Sequence, residues 1–161
     1  MSLCYFILLT PYCFGLIAEY YTIGAQDTVG QPAAKQGDQI TAVDMHIVMV
    51  PSPGGPVPTP LPHPFMGIID GYLSTNVKIM GVPDATVGST ATNTPPHFPT
   101  PPGTLFQVPP TNRGTVMVGS GTVMINGKPA ARMGDQAQTC AEPVPNMSAS
   151  IIAAGTVMIG G

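Results

Sequence analysis

Charge is what this sequence has least of. Only 8% of its 161 residues are Asp, Glu, Lys or Arg, about a third of the usual share. The five basic residues stand singly, at Lys35, Lys78, Arg113, Lys128 and Arg132, and tryptophan is absent. A net charge of −3 without a basic stripe gives nothing to neutralise a phosphate backbone, which excludes nucleic acid as a partner. Three cysteines do not make a disulfide framework. A membrane span needs roughly 20 uninterrupted apolar residues, and Pro11 and Glu19 break the most apolar stretch. Catalytic signatures are missing too. A P-loop would need Gly at 122 and Ser or Thr at 129, where Thr122 and Pro129 stand. VGSGT carries Val118 where a nucleophile elbow has its first glycine. No histidine has a local nucleophile and oxyanion site, so no enzyme active site is read.

What the chain has in excess is turn chemistry. It holds 19 Gly and 20 Pro, yet its mean hydropathy is +0.26, too apolar for a solvated disordered tail. Short apolar runs between frequent turns predict an all-β protein with many loops. Residues 1–30 stand apart. MSLCYFILLTPYCFGLIAEYYTIG holds four of the five Tyr and two of the three Cys, without the basic start or small-residue cleavage site of a signal peptide. Two readings stay open: a start placed too far upstream, with Val29 as the true one, or a docking or membrane-associated piece. The main domain is expected over 31–161.

From Gln31 the chain repeats itself. One unit reads PAAKQGD at 32–38, PDATVGS at 83–89 and PAARMGD at 129–135. A second reads TNVKIMG at 75–81, GTVMVGS at 114–120, GTVMING at 121–127 and GTVMIGG at 155–161. Twice the units join, in NVKIMG-VPDATVGS and TVMING-KPAARMGD, as strand, glycine turn, strand: a hairpin pattern. Repeated hairpins must pack on one another to bury a face. Two proline-rich loops, 50–65 and 93–110, separate them. Proline lacks an N–H, so these stretches are expected as extended straps and not as central strands.

The histidines fall at matched offsets. His46 lies eight residues after Asp38, and His97 eight after Ser89; in the third copy Cys140 follows Asp135 by five. Copies related by a pseudo-three-fold axis would bring His46, His97 and Cys140 together, with His63 reaching in from its strap. Three imidazoles and a thiolate form a closed tetrahedral set suited to a structural zinc. Cys4 and Cys13 lack metal-ligand spacing.

PAAKQGD, PAARMGD, INGKPAAR, the Cys140 that follows, and the closing GTVMIGG resemble the proline-alanine-alanine-arginine (PAAR and PAAR-like) repeat proteins over about residues 31–161. These are tips on the spikes of contractile injection systems. The resemblance implies a small cone of repeated β-hairpins with pseudo-three-fold symmetry. It also implies one structural Zn2+, with iron as the alternative, on His46, His63, His97 and Cys140. The middle copy departs from the pattern, since PDATVGS lacks the second alanine-alanine signature and its Asp. The long proline-rich loops favour the tips of phage-tail-like extracellular particles over type VI secretion.

The resemblance further implies a blunt base that caps a trimeric valine-glycine-repeat spike, one tip per trimer, with Val116, Val118 and Val123 as base candidates. It implies membrane puncture, a target membrane met transiently and effector cargo as a further partner. Assembly would take place in the bacterial cytoplasm, with the tip extracellular or translocated on firing. A free secreted β-solenoid or adhesion module, with no need of a metal set, is the rival reading.

Overall fold

The computed structural model describes residues 30–160. The N-terminal segment set apart above, with Cys4 and Cys13, therefore lies outside the described residues, Gly30 excepted. Along the described chain run thirteen strands and no helix. They are β1 (Gln31–Pro32), β2 (Gln39–Val50), β3 (Val57–Gly71), β4 (Lys78–Ile79), β5 (Val82–Pro83), β6 (Thr90–Asn93), β7 (Leu105–Phe106), β8 (Arg113–Val116), β9 (Met124–Ile125), β10 (Lys128–Pro129), β11 (Gln136–Thr139), β12 (Asn146–Ile152) and β13 (Met158–Ile159). The all-β expectation holds.

Six of these strands close on themselves. β2, β3, β6, β8, β11 and β12 pair antiparallel in that order, and β12 pairs back onto β2. Closure removes the free edges that an open sheet would expose. The ring is three hairpins, β2–β3, β6–β8 and β11–β12, and each is led in by one of the repeats 32–38, 83–89 and 129–135.

The repeats meet at a pseudo-three-fold axis, and their backbone bonds say so. Ala34 N–H donates to Ala131 O at 2.9 Å, Ala131 N–H to Ala85 O at 2.9 Å, and Ala85 N–H to Ala34 O at 3.0 Å. That is a closed cycle in which each copy gives to the next. All three alanines are fully buried, and a longer side chain would hold the three backbones apart. Each repeat then turns through Gly37, Gly88 or Gly134, at φ of 90°, 90° and 83°, a region that costs glycine nothing. Their N–H groups donate to Ile69, Val116 and Ile151 carbonyls in the ring.

The middle copy, divergent in sequence, makes the same turn. Lys35 and Arg132 N–H groups donate to the carboxylates of Asp38 and Asp135 at 2.9 and 2.8 Å, and Thr86 N–H donates to Ser89 Oγ at 3.0 Å. A hydroxyl does the work of a carboxylate.

Inside the ring, Ile40, Phe65, Ile69, Val116 and Ile151 pack with Ala91, Ala137 and Ala149. The Phe65 ring takes the space beside Gly67, where an added Cβ would lie 2.5 Å from it. Any side chain there would evict the phenyl group. Below the alanine cycle lies a second apolar layer of Ala33, Ile79, Ile125, Ala130 and Ile159. It is roofed by three small hairpins. β4–β5 turns at Met80–Gly81 and β9–β10 at Asn126–Gly127, all four at positive φ, the two-residue hairpin geometry. The third, β13 paired with β1, is assembled from opposite ends of the repeat region.

The structure corrects two expectations. Residues 57–65 are no strap: VPTPLPHPF is the first half of β3, paired with β2 from Val50↔Val57 to Ala42↔Phe65. The prolines stand at alternate places, 58, 60, 62 and 64, so every missing N–H falls on one edge. That edge faces away from β2, since the partners Met45, Ile47 and Met49 send their own carbonyls outward to Glu142, Gln107 and Thr104. Prolines of that spacing cost the pairing with β2 no hydrogen bond. The second proline-rich loop does run as coil, broken only by β7 against β2. The other correction is Val116. It is fully buried in the ring, so it cannot be an outward-facing base residue.

Candidate metal centre

Strand alternation builds the centre. Along β2, residues 40, 44, 46 and 48 are buried while 43 and 45 face out, so the inward stripe runs Ile40, Ala42, Asp44, His46, Val48. Two polar residues interrupt an apolar row. His63 is buried on β3, directly opposite Asp44 in register. Cys140 follows the end of β11 and His97 lies in the coil after β6, its N–H held by Asn112 Oδ1 at 2.7 Å.

These elements converge. Cys140 Sγ is 3.8 Å from His46 Nε2 and 3.8 Å from His97 Nδ1. The ring centroids of His46 and His97 are 4.8 Å apart, and those of His63 lie 5.4 and 5.7 Å from them. Phe106 of β7 closes over His46 and His63 at 5.6 and 5.2 Å. His46, His97 and Cys140 thus bring their donor atoms together, and the His63 ring packs beside the other two imidazoles.

A fifth residue joins them, and the sequence reading missed it. One donor atom from each of Asp44, His46, His97 and Cys140 lies within 4.8 Å of the others. The available signal was Asp44-Met45-His46: on a strand, residues two apart share a face.

The residues suit a metal. Zinc bonds of about 2.0–2.3 Å in a tetrahedron put nitrogen and sulfur ligands about 3.6 Å apart, close to the separations found. His46 presents Nε2 to the Cys140 thiol at 3.8 Å, and its other ring nitrogen, Nδ1, is buried without a hydrogen-bond partner. His97 Nε2 lies 3.1 Å from Pro64 O, so an Nε2–H donated there leaves Nδ1 as the free donor atom facing the thiol.

Electrostatics point the same way. Burial, with help from the neighbouring imidazoles, holds His46 below the ordinary histidine pKa; burial does the same to His97. Both shifts favour the neutral ring, the form that a metal ligand takes. Burial and then Asp44 push the Cys140 thiol up. A divalent cation would reverse that balance by stabilising the thiolate, with release of a proton.

No curated protein matches the chain. The family model described as PAAR motif matches residues 106–161, about a third of the sequence. That span contains Cys140, the PAARMGD repeat and the strand that completes the small hairpins, whereas His46, His63 and His97 lie before it. The chain carries a PAAR motif, as the PAAR-repeat proteins do, in the part that closes its ring and supplies the thiol of the candidate metal centre.

Proposed function

We propose that residues 31–161 form the pointed tip of a contractile injection system and cap a trimeric spike, one tip per trimer. The reading treats the chain as a structural part without catalysis. The cyclic exchange of hydrogen bonds among Ala34, Ala85 and Ala131 carries this reading, together with the PAAR motif. A monomer whose repeats obey a three-fold rule can meet three identical chains at once.

The face suited to that contact carries the small hairpins. Met80, in the turn between β4 and β5, and Met124 and Met158, on β9 and β13, stand there at 58%, 56% and 50% exposure. Adaptable thioethers on one end of a molecule favour a protein partner. Of the valines named above, Val118 is exposed and Val123 half-buried beside Ile125, so these two remain candidates.

Zinc, with iron as the alternative, would be held at the far end of the ring by His46, His97 and Cys140 with a fourth donor. A metal there would tie β2, β11 and the coil after β6 together where force is applied on firing. Structural zinc contributes on the order of 10–16 kcal/mol of apparent binding free energy in small domains, and that is also folding free energy. The tip would be loaded in the bacterial cytoplasm and driven out through a target membrane.

The test is a pulldown with the purified spike trimer, with mass photometry of the product. One tip per trimer is expected. Met124→Asp with Met158→Asp should abolish the complex and leave the metal bound. Three tips per trimer, or binding that ignores both charges, would reject the capping model.

A further inference from the structure

We propose that Asp44, and not His63, supplies the fourth ligand of the metal centre; this rests on the metal-bound tip read above. The carboxylate is fully buried, and its two oxygens have different surroundings. Oδ1 accepts from Thr139 Oγ1 and from Asn146 Nδ2, the latter at 3.3 Å. Oδ2 has one hydrogen-bond partner, the Cys140 thiol, at 3.6 Å. Thr139 and Asn146 thus fix the group and leave Oδ2 aimed at the pocket between His46, His97 and Cys140. A second shell that orients a ligand in this way is what metal sites use.

His63 is engaged on both nitrogens. Nδ1 lies 2.9 Å from Leu61 O, and Nε2 accepts from Thr100 N–H at 3.3 Å. The first contact sets the tautomer, with the proton on Nδ1, and the second occupies the lone pair that a metal would need. Neither nitrogen belongs to the set whose donor atoms lie within 4.8 Å of one another. His63 packs against the other two imidazoles and Phe106 as part of the wall.

Charge favours the same assignment. One thiolate and one carboxylate neutralise a divalent cation, whereas three imidazoles and a thiolate leave a net positive charge inside the protein. Buried charge is costly unless it is paired. With the carboxylate as ligand, the proton that the thiol donates to Oδ2 leaves on binding, and both anionic atoms face the ion. The site becomes one oxygen, two nitrogens and one sulfur, a harder set than three imidazoles and a thiolate.

The experiment uses the full chain loaded with zinc, and separately with cobalt(II), whose visible absorption reports its ligands. Asp44→Asn should weaken zinc binding by more than about 100-fold, the upper end for an outer-shell change, and shift the cobalt bands. His63→Ala should stay within that limit and leave the bands in place. A cobalt shift in His63→Ala, alone or alongside one in Asp44→Asn, would overturn the assignment.

Should Asp44→Asn fail to fold, X-ray absorption at the zinc edge of the wild-type protein decides by counting imidazoles. Two supports the proposal, and three rejects it. A wild-type chain that takes up neither ion would overturn the metal reading itself, a different result from a changed order of ligands.

Discussion

Replacing Asp84 with alanine puts the three-fold argument to a quantitative test. Asp84 stands where the other copies have Ala33 and Ala130, and its N–H donates to Val77 O as theirs donate to Val157 and Val123. Its carboxyl is fully buried, and neither oxygen has a hydrogen-bond partner. Burial raises its pKa from 3.8 to about 7.

The folded state therefore keeps the proton over a range in which the unfolded chain has lost it, and stability falls as pH rises from 3.8 towards 7. At about 1.4 kcal/mol per pKa unit, the rise of about three units costs the wild type about 4 kcal/mol above pH 7. The same linkage costs about 2 kcal/mol at pH 5 and nearly nothing at pH 3. Leaving the neutral carboxyl unpaired adds about 1–3 kcal/mol at every pH.

Asp84→Ala removes both costs with a side chain that the repeat already accepts twice. The variant should be more stable, and its advantage should grow by about 2–3 kcal/mol between pH 5 and pH 8. Urea denaturation of both proteins across that range measures it, and the metal centre, common to both, cancels in the difference. A variant less stable than wild type, or a constant difference across pH, would refute the reasoning.

Cys140→Ser should lower metal content and thermal stability together, because losing a ligand is losing folding energy; elemental analysis and calorimetry of one preparation check it. Ser89→Ala should cost about 1–3 kcal/mol by stranding the buried Thr86 N–H and the Tyr72 carbonyl to which the Ser89 hydroxyl donates, and thermal or urea denaturation checks it. Deleting residues 1–29 should leave metal content and circular dichroism unchanged, since the strands of the ring start at Gln39. Loss of both would give the apolar segment a part in the core.

Much of this architecture is written in the repeats. Offsets of eight residues from Asp38 to His46 and from Ser89 to His97 amount to equal paths from the alanine cycle to the centre, so the two imidazoles could be paired from spacing alone. The join TVMING-KPAARMGD likewise names its own hairpin, because Asn126–Gly127 fits only a few turns.

Register is what the letters conceal. The prolines of 57–65 look like strand breakers until β2 is laid beside them and their missing donors line one edge. Asp44 looks like a surface charge until Thr139 and Asn146, about a hundred residues away, are seen to hold it. Asp84 reads as a divergent letter in a repeat, and only its burial makes it a liability.

The hairpin of β1 and β13 sets an order of events. Its two strands, Gln31–Pro32 and Met158–Ile159, lie at opposite ends of the repeat region. On a ribosome, the first must wait for the last. Contacts of such sequence separation are the slowest to form, so the third corner of the methionine-bearing face is finished only when synthesis of the domain is. A chain cut short before Met158 would still carry His46, His97 and Cys140, but it would offer a partner two corners of three. Symmetry would then act as an inspection step: an unfinished product has no matching surface for a trimer.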